Sequence, residues 1–275
     1  MPELPETETI ARDLDRAVAG ARITGAAVTR PDVLRETTPE ALVRRVTGAT
    51  ILRARRRAKM VVLELSTGDR LVVQPRFTGA LLIDDGSLAE RERLYSTLAF
   101  QLDDGRALHY RDIRRLGTVS LMSPARWERH SALYGVEPLD PAFTVEHLSG
   151  ALRGSTQAVK KLLMDQRRIA GIGNIYANEA LWRAGIDPSR AGRSLGASEV
   201  AALHDAIVSV LRESIAARGT SFRDYRDASG ERGAFAESLA VYGRGGLPCP
   251  RCGTRLAETS AVDGRTTVFC ARCQR

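Results

Sequence analysis

The chain has 275 residues, of which 43% are hydrophobic and 27% charged, a composition typical of a folded soluble protein. This length predicts two domains, each large enough for its own core. No apolar run is long enough to cross a membrane and no secretory signal pattern is present, so we expect a cytoplasmic protein. Basic residues (41) exceed acidic residues (33), which favours a polyanionic partner, although a GC-rich genome also enriches arginine.

The chain opens with Met-Pro-Glu-Leu-Pro-Glu, a stretch with two interpretations. Pro5 suits the first position of a helix, and apolar residues then recur at helical spacing until Gly20. Alternatively, removal of the initiator methionine would give Pro2 a secondary amine that can attack a sugar aldehyde carbon and form an iminium. Glu3 is suited to move the protons. On this stretch alone, a plain helix start is the simpler interpretation.

Residues 21 to about 122 are rich in β-branched and apolar runs separated by turn signals such as Thr67-Gly68-Asp69 and Asp103-Asp104-Gly105. Strands this numerous and this close together predict a β-sandwich or barrel. The predicted strands are Ala21–Arg30, Thr50–Leu65, Arg70–Val73, Ala80–Ile83, Leu98–Leu102, Ala107–Tyr110 and Thr118–Met122.

Basic residues concentrate in the second of these runs. Arg53, Arg55, Arg57 and Lys59 alternate, and alternate residues of a strand share one face. Such a stripe suits phosphates, but a solvated strand face explains it equally well.

Two predicted loops combine an apolar residue with arginine. Residues 74–79 (Gln-Pro-Arg-Phe-Thr-Gly) contain Phe77, and residues 111–117 (Arg-Asp-Ile-Arg-Arg-Leu-Gly) contain Leu116. Apolar loop tips beside cations suit insertion into a duplex. Without further context, burial of both side chains in the core is the more common outcome.

Prolines mark a linker at residues 123–142, after which residues 143–218 are predicted to be helical. The last helix is the clearest, with apolar residues at helical spacing and Gly219 at its end. Between two shorter helices, Thr156–Leu163 and Ile175–Ala184, the turn contains Gly171 and Gly173. A turn before a helix N-terminus offers backbone N–H groups to a phosphate, although an ordinary helical hairpin has the same pattern.

The C-terminal segment contains Cys249-Pro-Arg-Cys252, seventeen intervening residues and Cys270-Ala-Arg-Cys273, which together include all four cysteines of the chain. Paired Cys-x-x-Cys elements at this separation predict one structural Zn²⁺ with four thiolate ligands, held on a two-stranded hairpin over Leu256–Ser260 and Thr266–Phe269. A zinc ribbon stabilises so small a segment but says little about activity. The long polar loop at 219–238 precedes it, and loops of this length are commonly functional or disordered.

Four motifs, in this order along the chain, resemble those of the bacterial formamidopyrimidine-DNA glycosylases of the Fpg/Nei superfamily. They are the N-terminal Pro-Glu-Leu-Pro-Glu, the linker Tyr134-Gly-Val-Glu-Pro-Leu139, the helix-two-turns-helix signature from Leu163 to Glu179, and Tyr242-Gly-Arg244 leading into the cysteines. Leu4 favours the Fpg branch over the endonuclease VIII branch, which typically has glycine there.

The resemblance implies a fold, an activity and a set of site residues. The fold is α+β, with a β-sandwich domain (1–122) led by a helix, a linker (123–142), a helix-two-turns-helix domain (143–238) with a lesion-capping loop (220–235), and a zinc finger (239–275). The activity is that of a bifunctional DNA glycosylase and apurinic/apyrimidinic-site lyase, which removes oxidised purines (8-oxoguanine and formamidopyrimidines) from double-stranded DNA through a Pro2 imine, followed by β,δ-elimination. The enzyme is expected to be a monomer in the bacterial cytoplasm and on the nucleoid. The implied catalytic residues are Pro2, Glu3 and Lys59; the DNA contacts are Lys160, Asn174, Arg265, Gln74 and Arg114; the lesion pocket is Glu6, Thr220, Ser221, Phe222 and Tyr225.

The two apolar loops depart from the family pattern. The family usually has His-Leu-Gly-Met-Ser-Gly at residues 74–79 and Asp-Pro-Arg-Arg-Phe-Gly at residues 112–117. Phe77 and Leu116 therefore replace the usual methionine and phenylalanine as the wedge that fills the void, which puts the opposite-base preference in question. Two alternatives stay open: an endonuclease VIII-like enzyme for oxidised pyrimidines, and a damage-binding protein without turnover.

Overall fold

The computed structural model describes residues 2–221 and 225–275, which form two compact units. Unit 1 comprises Met1–Ala132 with Ala217–Ala236, and unit 2 comprises Leu133–Ala216 with Glu237–Arg275. The chain therefore returns to unit 1 after the last long helix. The sequence predicts residues 220–235 as part of the helical domain, but their contacts group them with the β-domain.

Unit 1 is built from two four-stranded antiparallel sheets. One has the strand order β1-β6-β7-β5 and the other β2-β3-β4-β8. The strands are β1 (Ile23–Val28), β2 (Ile51–Arg57), β3 (Met60–Leu65), β4 (Arg70–Gln74), β5 (Gly79–Asp84), β6 (Ser96–Leu102), β7 (Ala107–Asp112) and β8 (Thr118–Met122). Apolar side chains from both sheets form one buried core, as expected of a β-sandwich.

Helix α1 (Leu4–Val18) packs its apolar stripe, Ile10, Leu14 and Val18, into this core. The predicted α+β fold with a leading helix is confirmed. Three short helices that the strand-rich pattern did not predict also lie in unit 1: α2 (Pro39–Val46), α3 (Glu90–Leu94) and α4 (Pro124–Ser131). The last of them occupies the first part of the expected linker.

The predicted strand Thr50–Leu65 is two strands. Arg57 pairs with Met60, so Ala58 and Lys59 form a two-residue turn, with Ala58 at a positive φ of 52°. The long apolar and basic run concealed this turn because it contains neither glycine nor proline. Lys59 therefore projects from a hairpin turn rather than from a strand face.

Unit 2 contains helices α5 (Val145–Leu152), α6 (Val159–Met164), α7 (Asn174–Ala184) and α8 (Ala197–Ala216), followed by the strands β9 (Ala257–Thr259) and β10 (Thr267–Phe269). The predicted helices and the hairpin are thus present within a few residues of their expected bounds. Glu179 on α7 is fully buried and accepts the backbone N–H groups of residues 240–242 at 2.8–2.9 Å, which fixes the approach to the hairpin. No helix of the described chain has the length and apolar character to cross a membrane.

Candidate active site and nucleic-acid contacts

Pro2 and Glu3 lie buried at the N-terminus of α1. The backbone N–H of Glu3 donates to Glu6 Oε2 at 2.8 Å, and the Glu3 carbonyl accepts from the Thr7 hydroxyl at 2.7 Å. Since the positive end of the helix dipole favours carboxylates, both glutamates occupy an electrostatically suitable position. The two residues expected to carry the chemistry are thus adjacent and held in a fixed backbone geometry.

Glu6 also contacts the segment expected to cap the lesion. Its Oε1 accepts the Thr220 backbone N–H at 2.8 Å, and the Tyr225 hydroxyl donates to the Glu6 carbonyl at 3.4 Å. Burial, followed by the nearby Glu6 carboxylate, raises the pKa of Tyr225, so its hydroxyl stays protonated and donates. Of the expected pocket residues, Glu6, Thr220, Ser221 and Tyr225 are therefore brought together within unit 1, and Phe222 lies outside the described residues.

An ionic stem anchors this segment to α1. Arg218, at a positive φ of 61°, donates to Asp227 and, at 2.6 Å, to Asp13. Hydrogen bonds to Asp227, and secondarily to Asp13, raise the pKa of Arg218 above its usual range. Asp227 is buried and also accepts the backbone N–H groups of Ser229 and Glu231. No local pattern marks the whole network, because Asp13 lies 205 residues before Arg218 in the chain.

The basic face around Lys59 is only partly available to a ligand. Arg53 and Arg55 are exposed, but Arg55 pairs with Glu64 on the neighbouring strand. Arg56 points the other way and pairs with Glu8 of α1 at 2.8 Å. Lys59, which lies in the hairpin turn between β2 and β3, is half-buried. The alternation predicted from the sequence holds for the first strand and ends at the turn.

The two apolar loops meet at one edge of unit 1. Phe77 is 47% exposed and Leu116 is 38% exposed, so neither side chain is buried in the core. The Arg114 guanidinium lies 5.3 Å from the centre of the Phe77 ring, a cation–π contact that joins the two loops. An exposed aromatic ring, an exposed leucine and an arginine therefore occupy one surface, as a wedge requires.

A buried carboxylate holds these loops together. Asp112 accepts hydrogen bonds from the Thr78 hydroxyl, from Tyr110 Oη (3.2 Å) and from the Gly117 N–H (2.8 Å). Thr78 Oγ in turn accepts the Arg114 N–H at 3.0 Å. Gly117 has no room for a side chain, since a Cβ atom there would lie 2.0 Å from Tyr110 Oη. Sequence reasoning missed Asp112, although it stands in one of the motifs.

In unit 2, Asn174 and Arg265 come together at the turn of the hairpin formed by β9 and β10. Asn174 begins α7, and its amide donates to the Thr266 carbonyl at 2.9 Å. Arg265 is exposed in the same turn, where its N–H donates to Asp263 Oδ1 at 3.1 Å. A helix N-terminus beside an exposed guanidinium suits phosphate.

The expectation that Lys160 contacts phosphate does not match its position. Its side chain is fully buried, and Nζ donates to Asp263 at 3.2 Å, to Thr267 Oγ1 at 2.7 Å and to the Thr266 carbonyl at 3.3 Å. With its donors directed inward, Lys160 supports the turn that presents Arg265. It is a positioning residue in this structure, because a buried ammonium needs internal partners.

The four cysteines converge as predicted. Their sulfur atoms all lie within 4.8 Å of one another, with 3.5 Å between Cys252 Sγ and Cys270 Sγ, and none is in a disulfide. Tetrahedral Zn–S bonds of about 2.3 Å place sulfur atoms about 3.8 Å apart, so the cluster fits zinc. The indole of Trp182 on α7 packs against this cluster and lies under the Arg251 guanidinium, 4.5 Å from the ring centre.

Comparison with known proteins agrees with these features along the whole chain. Family models match the formamidopyrimidine-DNA glycosylase N-terminal domain at residues 1–119, the H2TH domain of the same family at 134–226, and a zinc finger found in FPG and IleRS at 246–275. The formamidopyrimidine-DNA glycosylase of Chloroflexus aggregans is 44% identical, with 100% of this chain and 98% of that protein covered. The chain belongs to the formamidopyrimidine-DNA glycosylase family.

Solved structures of family members superimpose closely. A complex of a Lactococcus lactis FPG mutant with Fapy-dG-containing DNA has a TM-score of 0.91, 33% identity and full coverage of both chains. A complex of wild-type L. lactis Fpg with DNA containing an oxidised pyrimidine has a TM-score of 0.90, again with 33% identity and full coverage. The glycosylase class, DNA as the partner and structural zinc are thereby confirmed, whereas the roles of individual residues remain predictions.

Proposed function

We propose that this glycosylase removes oxidised purines from duplex DNA through an imine at Pro2 and then cleaves the strand. The observation that supports this most directly is the arrangement of residues 2–6. Pro2 and Glu3 stand together at a buried helix N-terminus, and Glu6 hydrogen-bonds both the Glu3 backbone and Thr220 of the capping segment. Closure of that segment over an everted base is thus coupled to the position of the catalytic pair.

The proposed reaction needs only the Pro2 amine, Glu3 and water. The Pro2 amine attacks C1′ of the deoxyribose, the glycosidic bond breaks, and the base leaves with a proton. Ring opening gives an iminium, which withdraws electrons and acidifies the C2′ hydrogen. Loss of that proton expels the 3′ phosphate and a second elimination expels the 5′ phosphate, after which water releases Pro2. Glu3 moves the protons, and Lys59, on its hairpin turn, contacts phosphate beside the lesion. Removal of Met1 is a prerequisite, because an amide nitrogen has no such nucleophilicity.

Binding in this scheme follows the exposed groups on each unit. Asn174 and Arg265 bind phosphates around the everted nucleotide, and Phe77, Leu116 and Arg114 fill the void, with Gln74 next to them. Eversion costs unstacking energy that these contacts offset. In a bacterial cell the enzyme would act on nucleoid DNA.

Borohydride trapping tests the proposal. Duplexes carry 8-oxoguanine opposite each base, an oxidised pyrimidine or an abasic site, and mass spectrometry first verifies that Met1 is absent. We expect a covalent adduct on 8-oxoguanine opposite cytosine that maps to Pro2 and is reduced in Pro2→Gly, because the primary amine of an N-terminal glycine is less nucleophilic than the proline ring amine. Pro5→Ala is the matched control, because it removes a neighbouring buried proline with no role in the chemistry; its adduct should persist.

Oxidised pyrimidines are the second candidate substrate, because a family member has been solved with such DNA. Trapping restricted to the oxidised pyrimidine would favour this alternative. Tight binding to damaged duplexes with no adduct anywhere, from protein that lacks Met1 and contains zinc, would instead identify a damage-binding protein without turnover.

A further inference from the structure

A groove of about 880 Å³ runs along unit 1 beside the loop that carries Arg114 and Leu116. Four segments line it: the end of β1, the end of α3, the start of β6 and the loop 111–117. Its lining residues are Thr29, Arg30, Arg93, Leu94, Tyr95, Ser96, Thr97, Asp112, Ile113 and Arg115. None of the roles proposed above uses this groove.

The groove is lined by exposed arginines. Arg30, Arg93 and Arg115 are all exposed, and Arg30 donates to the neighbouring Thr29 carbonyl at 3.1 Å. Arg93 pairs with Asp84 at 2.8 Å and also donates to the Gly86 carbonyl at 3.1 Å, and Arg115 pairs with Asp32 at 3.1 Å, so both guanidinium groups are oriented. A guanidinium has five N–H donors, and a carboxylate occupies at most two of them in a bidentate pair. The lining therefore keeps the capacity to bind an oxyanion.

Apolar groups interrupt the cations. Leu94 is 76% exposed, Tyr95 44% and Ile113 40%, which is unusual for three large side chains on one short stretch of surface. Alternating guanidinium and aromatic or aliphatic groups suit a nucleic-acid strand, because the cations meet phosphates while the ring and alkyl groups contact sugars and bases. A purely ionic surface would not need the apolar groups.

We propose that this groove binds the backbone of the undamaged DNA strand, next to the base that faces the lesion. The inference rests on the proposed function, in which Arg114 helps to fill the void beside the base that the lesion leaves unpaired. Arg115 follows Arg114 directly in the chain and faces the groove, with its φ of 53° turning the backbone between them. We therefore expect the DNA strand that carries the base next to Arg114 to continue into the groove.

The groove gives the enzyme a second set of DNA contacts, along the backbone of the undamaged strand. Arg30, Arg93 and Arg115 bind its phosphates, and Tyr95 contacts a sugar or base edge. A wedge that is narrower at Leu116 than the family's phenylalanine then relies more on these contacts to keep the orphaned base in register. Opposite-base selectivity thus depends on residues outside the wedge.

The first test measures charge. Binding of a duplex with an uncleavable abasic analogue is followed by fluorescence anisotropy between about 50 and 300 mM salt, where each neutralised phosphate contributes roughly −0.9 to the slope. Arg30→Gln/Arg93→Gln/Arg115→Gln should flatten the slope by about 0.9 for each phosphate that is no longer neutralised. The matched control, Arg16→Gln/Arg22→Gln/Arg44→Gln, removes the same charge from exposed arginines that do not line the groove and should leave the slope nearly unchanged.

Arg30→Gln by itself repeats the test without disturbing the Arg93–Asp84 and Arg115–Asp32 pairs. It should flatten the slope by about 0.9. Equal flattening by the groove variant and the control would overturn the proposal, because the effect would then reflect net charge alone.

The second test identifies the strand. Neutral methylphosphonates replace successive phosphates near the lesion, first in the undamaged strand and then in the damaged one. Wild-type affinity should fall for the undamaged-strand substitutions, the triple variant should show no further decrease, and damaged-strand substitutions should weaken both proteins equally. Coupling to the damaged strand alone would overturn the strand assignment.

The other outcomes are also decisive. An acidic peptide that ends in an aromatic residue serves as a protein-like probe of the groove. If the triple variant keeps its DNA affinity but no longer binds this peptide, which the wild type does bind, the groove is a protein-docking surface and the proposal is overturned. If the wild type does not distinguish damaged from undamaged duplex, the proposed function fails. Intact discrimination without coupling to either strand removes only the groove assignment.

Discussion

Asp112 offers the sharpest test of how the proposed wedge is held in place. Asp112→Ala removes a buried acceptor and leaves the hydroxyls of Thr78 and Tyr110 and the N–H of Gly117 without it. The hydroxyls can rotate toward other acceptors, but the Gly117 N–H has a fixed direction. An orphaned buried donor costs about 1–3 kcal/mol and the removal of each hydroxyl hydrogen bond about 1 kcal/mol, so we expect the free energy of unfolding to fall by roughly 4 kcal/mol.

Asp112→Asn separates the acceptor from the charge. Its carbonyl oxygen can still accept from Gly117, and its amide can donate to Thr78 Oγ, which already accepts the Arg114 N–H. We therefore expect a cost of about 1 kcal/mol, from charge-assisted bonds that become neutral ones. Burial, the largest cause, raises the pKa of Tyr110 and persists without the Asp112 charge, so that hydroxyl remains a donor to the variant at neutral pH.

Two assays follow the substitution. The thermal unfolding temperature should fall by roughly 8–16 °C in Asp112→Ala, at about 2–4 °C per kcal/mol for a unit of this size. Excision of 8-oxoguanine opposite each of the four bases should lose its discrimination, because Arg114 and Leu116 no longer share a fixed frame with Phe77. Asp104→Ala, which removes an exposed carboxylate from a surface pair with Arg106, is the control. An Asp112→Ala protein with wild-type unfolding temperature and opposite-base ranking would refute the reasoning.

Three further predictions concern other elements. Arg265→Gln should flatten the slope of log affinity for DNA against log salt concentration by about 0.9, as measured by anisotropy. Lys160→Met should leave that slope unchanged but lower the free energy of unfolding in denaturant by about 3 kcal/mol, because it leaves Asp263 buried without its cation. Glu179→Ala should lower stability by about 3 kcal/mol and speed zinc release to a chelator, since it orphans three backbone donors; an unchanged release rate would contradict this. Burial lowers the pKa of His109, so the unfolded chain binds a proton more readily than the folded protein and the free energy of unfolding falls as pH drops below about 6.5. His109→Gln should reduce this dependence of the unfolding free energy on pH, and an identical dependence in the variant would count against the assignment.

Short segments of the sequence are sufficient to predict several features of this protein. The cysteine pairs specify zinc by spacing alone, since four thiolates on two tight turns form a tetrahedral site. The helix that begins near Pro5 and the strands that follow were predictable because local periodicity sets which face is buried. The two apolar loops stood out in the sequence too, but only the structure shows that Phe77 and Leu116 are exposed rather than buried in the core. Family resemblance then linked these segments to one activity.

Tertiary structure decided the contacts between distant segments. Lys160 stands in a helix with an ordinary pattern, and only the zinc hairpin, about a hundred residues later, buries its ammonium. Arg218, Asp227 and Asp13 form a stem that no local pattern could reveal. Lys59 left the strand face for a turn because pairing of Arg57 with Met60 set the register. Local sequence specifies which groups are available; the packing of remote segments determines whether each group faces a ligand or supports its neighbours.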